Sequence, residues 1–192
     1  MGRYRNPREE DRVFLLIDLR NSTPLAESLG TRRFSLLLRD FFDDLTDPVL
    51  ETSGEIDSYV GDEAIISWPR ARGIEDANVL RCFTLFKERI AERASEYQRQ
   101  FGVVPTFKAA IHAGPVVATE VGQSRTQLVL HGDALNTASR VLGECNALGV
   151  ELLVTDSVAV ALQEVDVVQL EDLGQFKLRG KGESVGLLTM RS

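Results

Sequence analysis

"EIDSYVGDEAIISWP", residues 55–69, holds two β-rich apolar runs, EIDSYV and EAIISW, separated by Gly61 and Asp62. A Gly-Asp pair between two such runs signals a two-residue hairpin. The stretch also poses a chemical question, because Asp62 and Glu63 stand side by side at the bend, where two carboxylates repel one another. Working outward, "VFLLID" (13–18) is the short, fully apolar run of a central strand. Leu25, Leu29, Leu36, Leu37, Phe41, Leu45 and Val49 then recur at helical spacing and predict one long amphipathic helix, bracketed at its end by Pro48 and Gly54. Beyond the hairpin, Val79, Leu80, Phe83, Phe86, Ile90 and Tyr97 predict a second long helix from Glu75 to about Phe101.

"FKAAIHAG", "VVATEV" and "TQLVLHG" follow as strands, with Gly114-Pro115 and "GQSR" as breaks. A helix opens near Asp133 and turns Ala138, Val141, Leu142, Cys145 and Leu148 inward. Then come a strand ("ELLVT"), a short helix capped by Thr155 or Asp156, and strands near 166–171, 175–179 and 185–190. The first half thus runs β, α, β, β, α, β, the order of a ferredoxin-like split unit. The fold class predicted is α+β, a ferredoxin-like (βαββαβ) core with additional C-terminal strands and a helix, the helices packed on one face of a mostly antiparallel sheet.

With 192 residues, 43% of them hydrophobic, the chain suits one domain with a substantial core. Residues 1–12 are polar and without period, so they read as a tail or the end of a linker, and residues 13–192 as the domain. No apolar run approaches the roughly 20 residues that cross a bilayer, and no export leader opens the chain, which predicts a soluble protein. Cys82 and Cys145 lie far apart without CxxC spacing, which points to two buried thiols in a reducing compartment and hence the cytoplasm, either alone or as part of a larger membrane or sensor protein. A net charge of −7 excludes a general nucleic-acid binder, so any phosphate ligand is small and held locally.

Asp18 ends the first strand and Asp62 sits at the hairpin tip, and in a split βαββαβ unit these two strands lie side by side. Paired carboxylates at a strand end suit Mg²⁺ or Mn²⁺, hard cations that take oxygen ligands and complete their shells with substrate phosphates. Two such ions activate an attacking hydroxyl and neutralise a leaving pyrophosphate. The plainer alternative is that Asp18 caps the following helix and Asp62 fills a turn that favours Asp. "LHGDALNTASR" (130–140) adds weight to the first reading: Asn136 and Arg140, four apart, share a face near a helix start, where an amide and a guanidinium can bind a phosphoryl group or ribose, although taken alone the stretch reads as an amphipathic helix with an ordinary polar face.

Together "DLRNST", "GEIDSYVGDEAIISW", "AAIHAGPV", "HGDALNTASR" and "LRGKGE", in order and at the right spacing from Val13 to about Met190, resemble the class III nucleotide cyclase catalytic domain. The resemblance implies a palm-like core and conversion of a nucleoside triphosphate to a 3′,5′-cyclic monophosphate and pyrophosphate. It also implies a homodimer with sites at the subunit interface and two Mg²⁺ or Mn²⁺ ions per site. By the same resemblance Asp18 and Asp62 are the metal ligands. Leu19, Asn21, Ser22 and Thr23 form the phosphate-cradling turn, with Asn21 standing where the family usually has glycine. Asn136 positions the ribose and Arg140 stabilises charge on the reacting phosphate. Arg179 holds the terminal phosphates, with Lys181 as helper.

Two positions depart from the family's pattern. Ser58 stands where purine-selective members carry lysine or glutamate, and Val129 where adenylate cyclases carry aspartate or threonine; a valine accepts no hydrogen bond from an adenine amino group. Strand alternation puts the neighbours Asp57 and Tyr59 on the face opposite Ser58. ATP is the first expectation, with GTP second and a pyrimidine triphosphate (CTP or UTP) third. The rival function is a catalytically silent cyclase-homology module that dimerises and regulates. A diguanylate cyclase would need paired glycines and a phenylalanine that "VGDEAI" lacks. Glu63 reads as an exposed hairpin residue, His112 and His131 as packing or backbone-bonding residues, Trp68 as a lid of the hairpin on the core, Phe41, Phe42, Phe83 and Phe86 as core, and Arg70 and Arg72 as part of a solvated loop.

Overall fold

The computed structural model describes residues 6–122, 127–163, 165 and 169–190. The quoted stretch is the hairpin β2 (Glu55–Val60) and β3 (Glu63–Pro69), joined at Gly61 (φ 65°) and Asp62. β3 pairs antiparallel with β1 (Arg8–Leu19), and β1 pairs antiparallel with β4 (Phe107–Val121). β4 continues into β5 (Gln127–His131) as an antiparallel ladder and takes β6 (Leu152–Thr155) as its one parallel neighbour. β8 (Val185–Met190) and β7 (Leu170–Phe176) complete the order β2-β3-β1-β4-β6-β8-β7 among the described residues, with β5 beside β4. The sheet is mostly antiparallel, and the α+β class expected from the element order holds.

Helices cover both faces rather than one. Along β1, Val13, Leu15, Ile17 and Leu19 enter one core, while Phe14 and Leu16 enter another. The first core is closed by α2 (Thr31–Glu51), α4 (Asn78–Glu92), α5 (Ala94–Phe101) and α7 (Asp156–Gln163), the second by α6 (Asp133–Leu148). A strand buried on both faces loses the alternation of a half-exposed strand, which is why "VFLLI" is apolar throughout. Trp68 is fully buried, its indole N–H donating to the Thr52 carbonyl at 2.9 Å, and Phe41, Phe83 and Phe86 are core residues while Phe42 packs at the core's edge. Cys82 and Cys145 are buried free thiols.

Several boundaries differ from the sequence reading, each for a local reason. β1 starts at Arg8, inside the stretch read as tail, because Arg8–Arg12 pairs with Ala118–Gly114 in a polar ribbon that no apolar pattern announces. The first long helix is two: α1 (Ser22–Leu29) ends at Gly30, whose φ of 74° breaks the helical path before α2. The second is likewise divided, by a 3-10 turn at Glu75–Ala77 and again at Arg93 between α4 and α5. Residues 107–121 form one strand through Gly114-Pro115, since Pro115 lies between the β6 and β5 ladders, where β4 is paired on one side only. Arg70 and Arg72 lie in a short helix, α3 (Arg70–Ile74), with Arg70 bonded to Asp11 and the Ser157 carbonyl. Of the strands expected at 166–171 and 175–179, β7 covers 170–176, and 166–168 lie outside the described residues.

Candidate active site

The junction of β1, the hairpin tip and α1 builds a cavity of about 310 Å³ lined by Asp18, Asp62 and the turn Leu19–Pro24, with Lys108 and Asn146 closing its wall. Three backbone features fix it. The Leu19 N–H donates to the Asp62 carbonyl at 3.2 Å, tying the end of β1 to the hairpin bend. Asn21 takes the left-handed conformation (φ 55°, ψ 33°) immediately before α1. Asparagine tolerates that region better than other residues with a side chain, which accounts physically for Asn where the family has glycine. Arg20 then clamps the turn, donating to the carbonyls of Phe107 (3.2 Å) and Val150 (2.5 Å) and to Asn146 Oδ1 (3.3 Å).

Asp18 and Asp62 lie within hydrogen-bonding reach of one another. The Asp18 carboxyl is pushed up from its ordinary value, chiefly by burial; the Lys108 ammonium, 3.0 Å from Asp18 Oδ2, opposes this and Asp62 adds to it. Glu63, opposite Asp18 in the β1–β3 register, is half-buried rather than the exposed hairpin residue expected, and burial with the repulsion of Asp18 and Asp62 raises it to about 7. Three acids crowded against one ammonium is an arrangement that a divalent cation relieves. Asp18 and Asp62 therefore fit a metal-binding pair, and as no group of three ligating side chains gathers among the described residues, the other ligands would be water or substrate oxygens.

The remaining predicted residues lie elsewhere. Asn136 is exposed and Arg140 half-exposed on the first turns of α6, and a Cβ placed on Gly180 would stand 3.6 Å from Arg140 Nη2, so the "LRGKGE" loop packs against Arg140. Lys181 pairs with Asp133 at the helix start, holding that carboxyl below its usual range, and Arg179 is exposed beside them. His112, beneath this end of α6, bonds Thr155 Oγ1 at 2.8 Å and is pushed down to about 4, mainly by burial and then by Lys181, in keeping with a packing role. The cavity touches α6 at Asn146, near the other end. Asn136 lies ten residues and Arg140 six residues from Asn146, ~15 and ~9 Å of helix, and neither lines the cavity at Asp18 and Asp62. Ser58 and Val129 are equally separate, as β3, β1 and β4 lie between β2 and β5.

Sequence reasoning missed Lys108, Arg20 and Asn146. Lys108 carried a signal, since alternation on β4 with Ala110 and His112 puts it on the same face as Asp18, its register partner. Arg20 and Asn146 meet only through the fold. The sequence reading also misplaced Asp57. The β2–β3 register slips between Ile56 and Ser58, Ile56 pairing with Ile66 and Ser58 with Ile65, so Asp57 is the extra residue of a β-bulge. Its carboxylate bonds Ser67, which lies on the Ile65 face, so Asp57 shares a face with Ser58 instead of opposing it.

Residues 10–189 match the family model described as the adenylate and guanylate cyclase catalytic domain, and the chain belongs to that family. Adenylate cyclase 2 of Rhizobium meliloti (strain 1021) is 40% identical over 189 residues, covering 98% of this chain and 52% of its own length. An adenylate cyclase of Anabaena cylindrica is 27% identical, with 94% of this chain and 36% of its own length covered. The chain thus spans about half or less of the length of these curated relatives. Among solved structures, the adenylyl cyclase CyaB from P. aeruginosa superposes with a TM-score of 0.83 at 19% identity, over 97% of this chain and 96% of that one. The guanylyl cyclase Cya2 follows with a TM-score of 0.80 at 18% identity, over 96% and 92%. At such identities the structural likeness establishes the fold. No described helix is long and apolar enough to cross a membrane.

Proposed function

We propose that the chain is a nucleotide cyclase acting on ATP, forming 3′,5′-cyclic AMP and pyrophosphate in a homodimer. The observation that carries this reading is the cavity at Asp18 and Asp62, where two carboxylates, an ammonium and the start of a helix converge on a space suited to a metal-bound triphosphate. The 40% identical adenylate cyclase supports ATP as the substrate.

Ser22 and Thr23, in the first turn of α1, line the cavity, and the free N–H groups and positive dipole end of a helix start suit triphosphate oxygens. Lys108 releases Asp18 and turns its ammonium to the same phosphates. Mg²⁺ or Mn²⁺ held by Asp18 and Asp62, two ions per site, would lower the pKa of the ribose 3′-hydroxyl and neutralise charge on the leaving group. From the partner subunit the start of α6 supplies the second half of the site: the amide of Asn136 orients the ribose, and the Arg140 guanidinium meets the charge growing on the α-phosphate. Arg179 and Lys181 hold the terminal phosphates. The 3′-oxygen bonds to the α-phosphorus as the bond to the pyrophosphate oxygen breaks, and the hydroxyl proton leaves to solvent. Positioning and fixed charge supply most of the acceleration.

The test is incubation of the full chain with ATP, GTP, CTP or UTP and either Mn²⁺ or Mg²⁺, with cyclic products resolved by mass. Cyclic AMP as the dominant product supports the reading. A folded, dimeric protein that converts none of the four overturns it in favour of a regulatory cyclase-homology module.

A further inference from the structure

Asp57 is the place in the molecule where a buried group has been left without a partner. Its Oδ2 is buried and bonded to nothing among the described residues. Buried acceptors are almost always satisfied, and leaving one unpaired is costly. The rest of the carboxylate is accounted for: Ser67 Oγ accepts from Arg12 Nε at 3.0 Å, which frees its own hydrogen for Asp57. Arg12, 2% exposed, directs donors to Ser67, to Glu10 at 2.9 Å and to Glu55 at 2.5 Å rather than to Asp57 Oδ2. One buried acceptor atom therefore remains unpaired.

The bulge delivers that atom to the face carrying the catalytic groups. Asp18, Glu63 and Lys108 share the side of the sheet occupied by Phe14, Leu16, Ile65 and Ala110. Ser58, paired with Ile65, stands two residues along β3 from Glu63, and Ser67 two residues further. At ~3.4 Å per residue these rows lie ~7 and ~14 Å from the acids at the hairpin tip. On the cyclase reading, a nucleotide with its phosphates at the tip would lay its base over this part of the strands.

We propose that Asp57 and Ser58 form the base-recognition edge of the substrate site, Asp57 Oδ2 accepting from an exocyclic amino group and the Ser58 hydroxyl donating to the ring nitrogen beside it. The inference rests on the cyclase reading above. One acceptor next to one donor matches the edge of adenine, and the same pattern in cytosine. On the Watson–Crick edge guanine presents two adjacent N–H donors, and uracil a ring N–H between carbonyls; neither offers the amino-and-bare-nitrogen pair there. A site built to bond a polar group discriminates strongly against an analogue lacking it.

The test compares ATP with purine riboside triphosphate, which lacks only the amino group, in the native chain and in Asp57→Leu, with CTP and its 4-deamino analogue as a parallel pair. The native chain is expected to favour ATP by about tenfold or more in kcat/KM, and the ratio to fall to near one in Asp57→Leu. A preference confined to the CTP pair would assign the same edge to cytosine. Persistence of the ATP preference in a folded, active Asp57→Leu overturns the proposal. So does a ratio near one for both pairs in the native chain, which needs no variant to fold. If the native chain makes no cyclic product the cyclase reading fails separately, and calorimetric binding of the 3′-deoxy forms of the same pairs decides on Asp57: the same ratio, lost in the variant, sustains it, and equal or absent binding overturns it.

Discussion

The two ends of α6 carry opposite kinds of incompleteness. Near its C-terminus the helix abuts a cavity in which acids, an ammonium and a phosphate-sized turn are assembled within one chain and clamped by Arg20. At its N-terminus Asn136, Arg140, Arg179 and Lys181 gather around a helix start where, among the described residues, Asp133 pairs with Lys181 and no acid pair of the Asp18–Asp62 kind is found. The same rigid helix separates the halves, which is an arrangement for lending one half to another subunit. On the cyclase reading proposed above, a site divided this way would be silent as a monomer, and dimerisation would be a condition of catalysis.

The largest effect expected to break this comparison is at the acids: Asp62→Ala should lower turnover by on the order of 10³-fold or more, with the dimer intact by sedimentation. Arg140→Ala should fall by about 10²- to 10³-fold. Mixing the two dead variants should restore about a quarter of native activity, since half the exchanged dimers are mixed and each carries one intact site of two. Absence of complementation would place both halves of each site in one chain. A smaller change, about tenfold and mostly in KM, is expected for Lys108→Ala, which removes a charged phosphate partner. Steady-state kinetics at saturating Mn²⁺ separates this from weakened metal binding.

The smallest effect concerns stability at the bulge. Burial raises the Asp57 carboxyl to about 6, above its unfolded value. The native state therefore binds that proton more tightly than the unfolded chain, so this residue's contribution to stability is present at low pH and declines as pH rises from about 4 to about 6. Asp57→Asn removes the titration. Its melting temperature should exceed that of the native chain by a few degrees at pH 8, and the gap should close toward pH 4.5. A gap independent of pH would show that Asp57 is not the titrating group.

Much of the candidate site could be proposed from the sequence because its chemistry is local. Gly61 and Asp62 announce the hairpin, Asp18 ends an unmistakable strand, and Asn136 and Arg140 are spaced by one helical turn. What escaped was set by contacts between distant segments. Alternation assigned Asp57 to the wrong face because a bulge inserts a residue without leaving a mark in the hydrophobic pattern. Glu63 read as a surface turn residue because its half-burial comes from facing Asp18 across the sheet. Lys108 and Asn146 are ordinary polar residues on a strand and a helix until β1 and the Arg20 clamp bring them to the same cavity.

The amino-acid sequence by itself determined the element types, the hairpin, the pair of metal-suited carboxylates and the family, because each rests on residue chemistry over short spans. Tertiary structure alone decided that the helices lie on both faces and that Asn136 stands ~15 Å along α6 from Asn146 at the Asp18–Asp62 cavity. It also decided that one buried carboxylate oxygen of Asp57 is left unpaired beside Ser58. These follow from strand register and from packing between residues tens of positions apart, quantities that no local pattern encodes.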